Sequence, residues 1–185
     1  MRLLLVSPKS PPLSTEPRIR RFLEKCVPLQ ELTRNWTGIA HGLLVVAALT
    51  PPDWDIVLVD EDYDEVDFDK RYDLVGISVI TGKAPRAYAI ADRFRSHGVP
   101  VVLGGIHPTV LPEEAGEHAD SVVIGEAEAN WPKLISDFVQ GRLEPTYRTS
   151  APVELTRSPL PRYDLLAKRR YRIVWVQSTR GCPHD

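Results

Sequence analysis

Gly104 and Gly105 close an apolar, β-branched run (PVVLGG), and Gly82 and Gly125 follow similar runs elsewhere in the chain. A glycine at a strand end admits positive φ and lets a flat, bulky ligand approach the backbone with no Cβ in the way, although a tight turn uses the same residue. His107 precedes Pro108, whose ring disfavours a helical backbone before it and would aim an extended His107 side chain reproducibly. That imidazole could face a ligand or serve as a surface or capping group. Ser78 and Thr81 offer hydroxyls to the polar tail of a ligand, or to their own local turns. Glu126 and Glu128 could accept hydrogen bonds from ligand amides, or act as favourable first-turn charges of a helix. Cys182 stands in S-T-R-G-C-P near the last residue, Asp185. Iron–sulfur clusters need several thiolates, so one cysteine alone binds none and its partners would have to lie beyond Asp185.

The elements that must position these residues alternate between strand and helix. Arg2–Ser7 (RLLLVS) reads as a short, fully buried strand, and a short basic helix is expected around Arg18 to Lys25. Apolar residues at helical spacing predict a helix over 38–49, stopped by Pro51 and Pro52. Trp54–Asp60, Asp73–Ile80, Pro100–Leu103 and Ser121–Ile124 read as further strands. Helices are expected over 84–98, over Pro112–His118 and along the stripe Trp131, Leu134, Ile135, Phe138, Val139. Such alternation implies right-handed crossovers and a parallel sheet covered by helices. The expected fold class is α/β, a flavodoxin-like (Rossmann-like), doubly wound, parallel five-stranded sheet in the order 2-1-3-4-5. In such sheets ligands bind beyond the carboxyl ends of the strands, which points to the loops 7–12, 78–83, 104–108 and 125–128. The expected organisation is a ligand-binding domain over 1–142, a proline-interrupted linker over 143–169, and a new strand (YRIVWVQ) opening a further domain over 170–185.

Composition narrows the function classes. Apolar residues make up 43% of the 185 and charged residues 26%, with a formal net charge of −2, which gives no electrostatic case for nucleic acid or an anionic membrane. No 18-residue apolar stretch and no signal peptide are present, so a cytoplasmic location without a membrane span is expected. Cys26 and Cys182 lie far apart, which argues against a structural disulfide, and Cys26 reads as a small structural thiol rather than a reactive one. The loop after the first strand holds no glycine from Pro8 through Thr37, which disfavours a dinucleotide or flavin phosphate there. The third strand ends in Ser78–Thr81 rather than in the aspartate that a phosphate-accepting receiver domain needs. The seven carboxylates between Asp60 and Asp69 lack the spacing of a calcium loop and read as a solvated acidic segment.

Several pieces together carry a specific resemblance. "YDLVGISVITG", "VPVVLGGIHPTVLPEE", "ADSVVIGEAE", "LPRYDLL" and "STRGCPHD" occur in the order found in B12-dependent radical S-adenosylmethionine enzymes, whose N-terminal cobalamin-binding domain this chain resembles. The resemblance implies a flavodoxin-like domain with cobalamin over the strand ends, and by position it nominates Ser78, Thr81, Gly104, Gly105, His107, Gly125 and Glu126 as cobalamin contacts. It also implies that Cys182 is the first of three ligands of a [4Fe-4S] cluster that cleaves S-adenosylmethionine, the motif being cut short in this sequence. The implied partners are the C-terminal radical domain of the same chain and a small-molecule substrate of tetrapyrrole, lipid or natural-product type. The implied reaction is methyl transfer through methylcobalamin, or a radical cyclisation or rearrangement like that of magnesium-protoporphyrin monomethyl ester cyclase. This fragment alone is expected to be inactive. One departure stands out: the D-x-H-x-x-G motif that gives cobalt a histidine in cobalamin mutases is replaced by Ser7-Pro8-Lys9-Ser10-Pro11-Pro12. The alternative reading is a non-catalytic flavodoxin-like binding or signalling module.

Overall fold

Leu3, Leu4, Leu5 and Val6 are fully buried because the first strand, β1 (Arg2–Ser7), lies inside the sheet with helices on both faces. Side chains alternate across a strand. Leu3 and Leu5 accordingly join one apolar cluster, and Leu4 and Val6 join the other. The computed structural model describes residues 1–11, 16–26, 41–149, 153–166, 171 and 176–180.

β2 (Asp55–Asp60) and β3 (Leu74–Ser78) flank β1, followed outward by β4 (Val101–Gly104) and β5 (Ser121–Ile124). All pairs are parallel and the order begins 2-1-3-4-5 as expected, so the chain's path reverses between β1 and β3. A sixth strand, β6 (Thr146–Arg148), extends the sheet beyond β5 and lies within the segment expected to be linker. It is three residues long with one inward side chain, Tyr147, too little for a periodic pattern. Tyr147 is buried, and its hydroxyl donates to Asp137 at 3.1 Å and accepts the Glu144 amide at 3.0 Å. That edge is held by a polar contact the alternation of apolar residues could not reveal.

Among the described residues the α-helices are α1 (Pro17–Lys25), α2 (His41–Leu49), α3 (Ala84–Ser96), α4 (Ile106–Val110), α5 (Pro112–Glu117) and α6 (Ala127–Val139). Ala87, Ile90, Ala91 and Phe94 of α3 pack on the Leu4 and Val6 side with Ala115 of α5. Leu43 and Ala47 of α2 pack on the Leu3 and Leu5 side with Trp131, Leu134 and Ile135 of α6. α2 stops before Pro51, where Thr50 donates its hydroxyl to the Val46 carbonyl at 2.8 Å and accepts the Trp131 indole N–H at 3.0 Å, fastening α2 to α6. Among the described residues no helix is long and apolar enough to cross a membrane. The helix expected from residue 38 is seen from His41, since 38–40 lie outside the described residues. The strand expected over 171–177 falls largely on such residues, and Cys182 falls on one as well.

Two local expectations change. Ile106–Val110 is a helical turn rather than extended chain, because Pro108 sits in its first turn, where a missing N–H costs no hydrogen bond. The acidic run is not uniformly solvated: Asp60 and Glu61 are buried at the end of β2. There the Glu61 carboxylate receives the Lys9 amide at 3.1 Å and Arg86 at 2.9 Å, while Asp62 receives the Ser10 amide and hydroxyl at 2.9 Å each.

Candidate ligand site at the strand ends

A cavity of about 360 Å³ opens at the carboxyl ends of β3, β4 and β5 and runs down between the sheet and the helices α2 and α6. Its position beside the reversal point is where an open parallel sheet leaves room for a ligand. The volume lies within the usual range of small-molecule sites. Leu5, Gly76, Val102, Val123 and Trp131 form an apolar floor, and Leu43 and Val46 of α2 form a wall. Gly76 keeps this floor open. It is paired between Leu5 and Val102, and a Cβ there would stand 3.0 Å from Leu5 Cδ2 and 3.5 Å from Trp131 Cη2.

The rim is built from two glycine turns. Gly105 has φ +102°, and a Cβ on it would lie 2.8 Å from the Val79 carbonyl oxygen, so both backbone conformation and space demand glycine. Gly125 has φ +84° with no comparable crowding, so conformation alone selects it. Thr109, on α4, spans the two turns: its hydroxyl donates to the Gly105 carbonyl at 2.8 Å and accepts the Gly125 amide at 3.0 Å. Asn130 is buried beneath the second turn. Its amide donates to the Glu126 and Ile124 carbonyls at 2.9 and 3.3 Å and accepts the Thr149 hydroxyl at 2.8 Å.

Of the nominated residues, Ser78, Gly104, Gly105, Gly125 and Glu126 come together around the mouth. Thr81 and His107 do not line it. His107 is buried on the opposite side of the rim, with Nε2 2.9 Å from the Tyr88 hydroxyl and 3.3 Å from Glu114, and Nδ1 3.3 Å from the Thr81 hydroxyl. Its amide also donates to the Val79 carbonyl at 3.1 Å, so it braces the Gly105 turn from behind. Gly82 stands apart from the cavity as well. Among the described residues no histidine lines the cavity and no group of three His, Cys, Asp or Glu side chains is arranged to hold a metal ion. The Thr109 and Asn130 ties escaped sequence reasoning because each is a long-range polar contact. A hydroxyl or amide two to five residues past a strand-end glycine is the one signal that could have pointed to them.

Charge at the mouth comes from α6 and from the segment before Cys182. Glu126 and Glu128 both receive the Arg180 guanidinium, Glu128 at 2.9 Å, and Glu128 also accepts the Ser158 hydroxyl at 3.0 Å. Burial opposes ionisation of Glu128, but hydrogen bonds from Arg180 and Ser158 outweigh it and hold the carboxyl below its ordinary range. At the far side of β1, the amides of Lys9 and Ser10, which a phosphate-binding turn would leave free, are taken by Glu61 and Asp62. Among the described residues of that loop, a flavin or nucleotide phosphate would find these two amides already taken and carboxylates beside them.

Residues 38–135 match the protein family described as the B12 binding domain. The chain is 44% identical over 162 residues to bacteriochlorophyllide d C-8(2)-methyltransferase of Chlorobaculum tepidum, an overlap covering 82% of this chain and 36% of that protein. It is 34% identical over 150 residues to bacteriochlorophyllide d C-12(1)-methyltransferase of the same organism, covering 77% and 33%. With hopanoid C-2 methylase of Rhodopseudomonas palustris it shares 26% over 158 residues, covering 78% and 28%. The chain thus spans about a third of the length of the curated relatives it matches. No solved structure matches it significantly.

Proposed function

The chain belongs to the B12 binding domain family, and from that premise we propose that the glycine rim and the cavity behind it seat a cobalamin, as the cofactor-carrying part of a larger methyltransferase. The observation that carries the proposal is the pairing of an opened rim with a dry floor. Gly105 and Gly125 leave backbone exposed where a macrocycle would rest, and Gly76 hollows the floor where an apolar, ring-shaped tail would descend. The volume of about 360 Å³ suits such a tail and not a whole corrinoid, so the macrocycle would lie outside on the rim.

The residues divide the work by their chemistry. Ser78 and Thr109 stand at the mouth with hydroxyls, and Gly104, Gly105 and Gly125 let the macrocycle approach the backbone closely. Leu5, Val102, Val123 and Trp131 exclude water from the tail. His107 and Thr81 would act one layer back, holding the Gly105 turn rather than touching the cofactor. With no histidine in the Ser7–Pro11 loop or along the cavity, no imidazole is supplied to cobalt by the described residues. When bound, a cobalamin supplies a one-carbon carrier, and the protein's part is orientation and a dry seat.

The rest of the catalytic apparatus would belong to residues from Cys182 onward in a longer protein, a [4Fe-4S] cluster with S-adenosylmethionine as the resemblance to radical enzymes implies. The substrate class best supported is a tetrapyrrole, after the names of the two bacteriochlorophyllide methyltransferases, with a hopanoid-type lipid as the next. The test is direct. The chain is incubated with hydroxocobalamin or with flavin mononucleotide, desalted and scanned. Corrinoid absorption should stay with the protein while flavin passes through; retained flavin without corrinoid would overturn the proposal.

A further inference from the structure

Arg180 lies only two residues before Cys182, yet its side chain lines the cavity. The guanidinium is 21% exposed and Glu128 only 9%. All three of its nitrogens are engaged: one terminal nitrogen meets Glu126, the other meets Glu128 at 2.9 Å and the Gln177 side-chain oxygen at 2.8 Å, and Nε reaches Gln177 at 3.3 Å. The two acids sit at the start of α6, immediately after the Gly125 turn, and the N-cap residue Glu126 makes no side-chain cap bond to the helix. Burial works against the charge of Arg180, but Glu128 and Glu126 more than restore it. The same Glu128 holds Ser158, so one carboxylate gathers two later segments of the chain at the cavity mouth.

We infer that Arg180 is a positioning residue: docked on Glu126 and Glu128, it straps the segment leading into Cys182 across the mouth of the cofactor cavity, so that release of the cofactor requires the ion pair to open. This rests on the cobalamin reading and adds to it a fixed register between the cofactor site and residues 176–180. A surface ion pair would do little of this. Glu126, at 45% exposed, lies at the wet edge, but the Arg180–Glu128 pair is largely withdrawn from water, and breaking it leaves a charge stranded in a poorly hydrated place, which acts chiefly on dissociation.

The experiment has two arms on the whole 185-residue chain. In the ligand-free chain, thermal unfolding of R180Q, E128Q and the double variant forms a cycle, and non-additive midpoints are expected because the two residues share one contact. With hydroxocobalamin loaded, R180Q and E126Q/E128Q should each release it roughly tenfold faster than wild type. Added salt should speed release from wild type and leave R180Q unchanged, and R180E/E126R should recover part of the wild-type rate. Additive midpoints would overturn the inference, as would equal release rates with equal salt dependence. A wild-type chain that retains no corrinoid would instead sink the cobalamin reading, and the strap with it.

Discussion

The Thr109 hydroxyl accepts the Gly125 amide at 3.0 Å while donating to the Gly105 carbonyl at 2.8 Å, so one side chain on α4 joins the two positive-φ turns above the cavity. Valine at this position has the same shape but can neither give nor take a hydrogen bond. T109V should lower unfolding free energy by about 1–2 kcal/mol and weaken corrinoid retention, with T109S close to wild type, as read by denaturant midpoints and spectral titration. Wild-type binding by T109V would mean that the rim glycines hold their geometry without this tie.

The order of strands and the glycine rim were both readable from residue types. Unbroken apolar runs such as Leu3–Val6 suit strands covered on both faces, and Gly104–Gly105 after such a strand falls at its carboxyl end. The cavity floor was not readable. Gly76 sits inside the strand β3, where a glycine ordinarily means only weaker packing, and its purpose appears once Leu5, Val102 and Trp131 surround it. His107 misled for a related reason: its neighbours Tyr88 and Glu114 come from α3 and α5, and contacts between elements leave no local pattern. Arg180 reads in the sequence only as part of the cysteine motif, because its carboxylate partners lie more than 50 residues earlier in the chain.

Gly76 offers a test of the floor that can be separated from the rim. G76A places a methyl 3.0 Å from Leu5 Cδ2, which Leu5 must yield to, and G76V fills more of the cavity. Overpacking of this kind costs about 1–3 kcal/mol, so the fold should survive while corrinoid retention falls from G76A to G76V. G116A, on α5 and away from the cavity, is the control, since a methyl there meets nothing within 4 Å. G105A should be worse than either for stability, by about 1–3 kcal/mol, because φ +102° and the Val79 carbonyl both oppose it. Equal corrinoid binding by wild type and G76V would place the cofactor elsewhere.

Asn130 is the buried hinge between β5 and α6, donating to two carbonyls and accepting Thr149. N130L has similar volume and leaves the Glu126 and Ile124 carbonyls without this donor, at about 1–3 kcal/mol for each group left unmet. N130D keeps the Thr149 partner but turns a carboxylate oxygen toward those carbonyls, so it should be the more damaging at neutral pH and recover in acid. Denaturation of the three proteins at two pH values checks the order.

Asp60 gives a pH dependence with a definite sign. Burial at the end of β2 raises its carboxyl above the ordinary value and the Asp62 charge adds to this, while the Asp62 amide, the Tyr171 hydroxyl at 3.0 Å and Lys83 pull the other way without cancelling it. The folded chain therefore keeps a proton on Asp60 at pH values where the unfolded chain has lost it. Stability attributable to this group falls as pH rises from the unfolded value through the folded one. D60N cannot ionise, and its amide can still meet the Tyr171 hydroxyl. The unfolding free energy of D60N relative to wild type should thus shift in favour of the variant between about pH 3 and about pH 7, as measured by urea denaturation across that range. A difference that stays constant with pH would show that Asp60 titrates alike in the folded and unfolded chain.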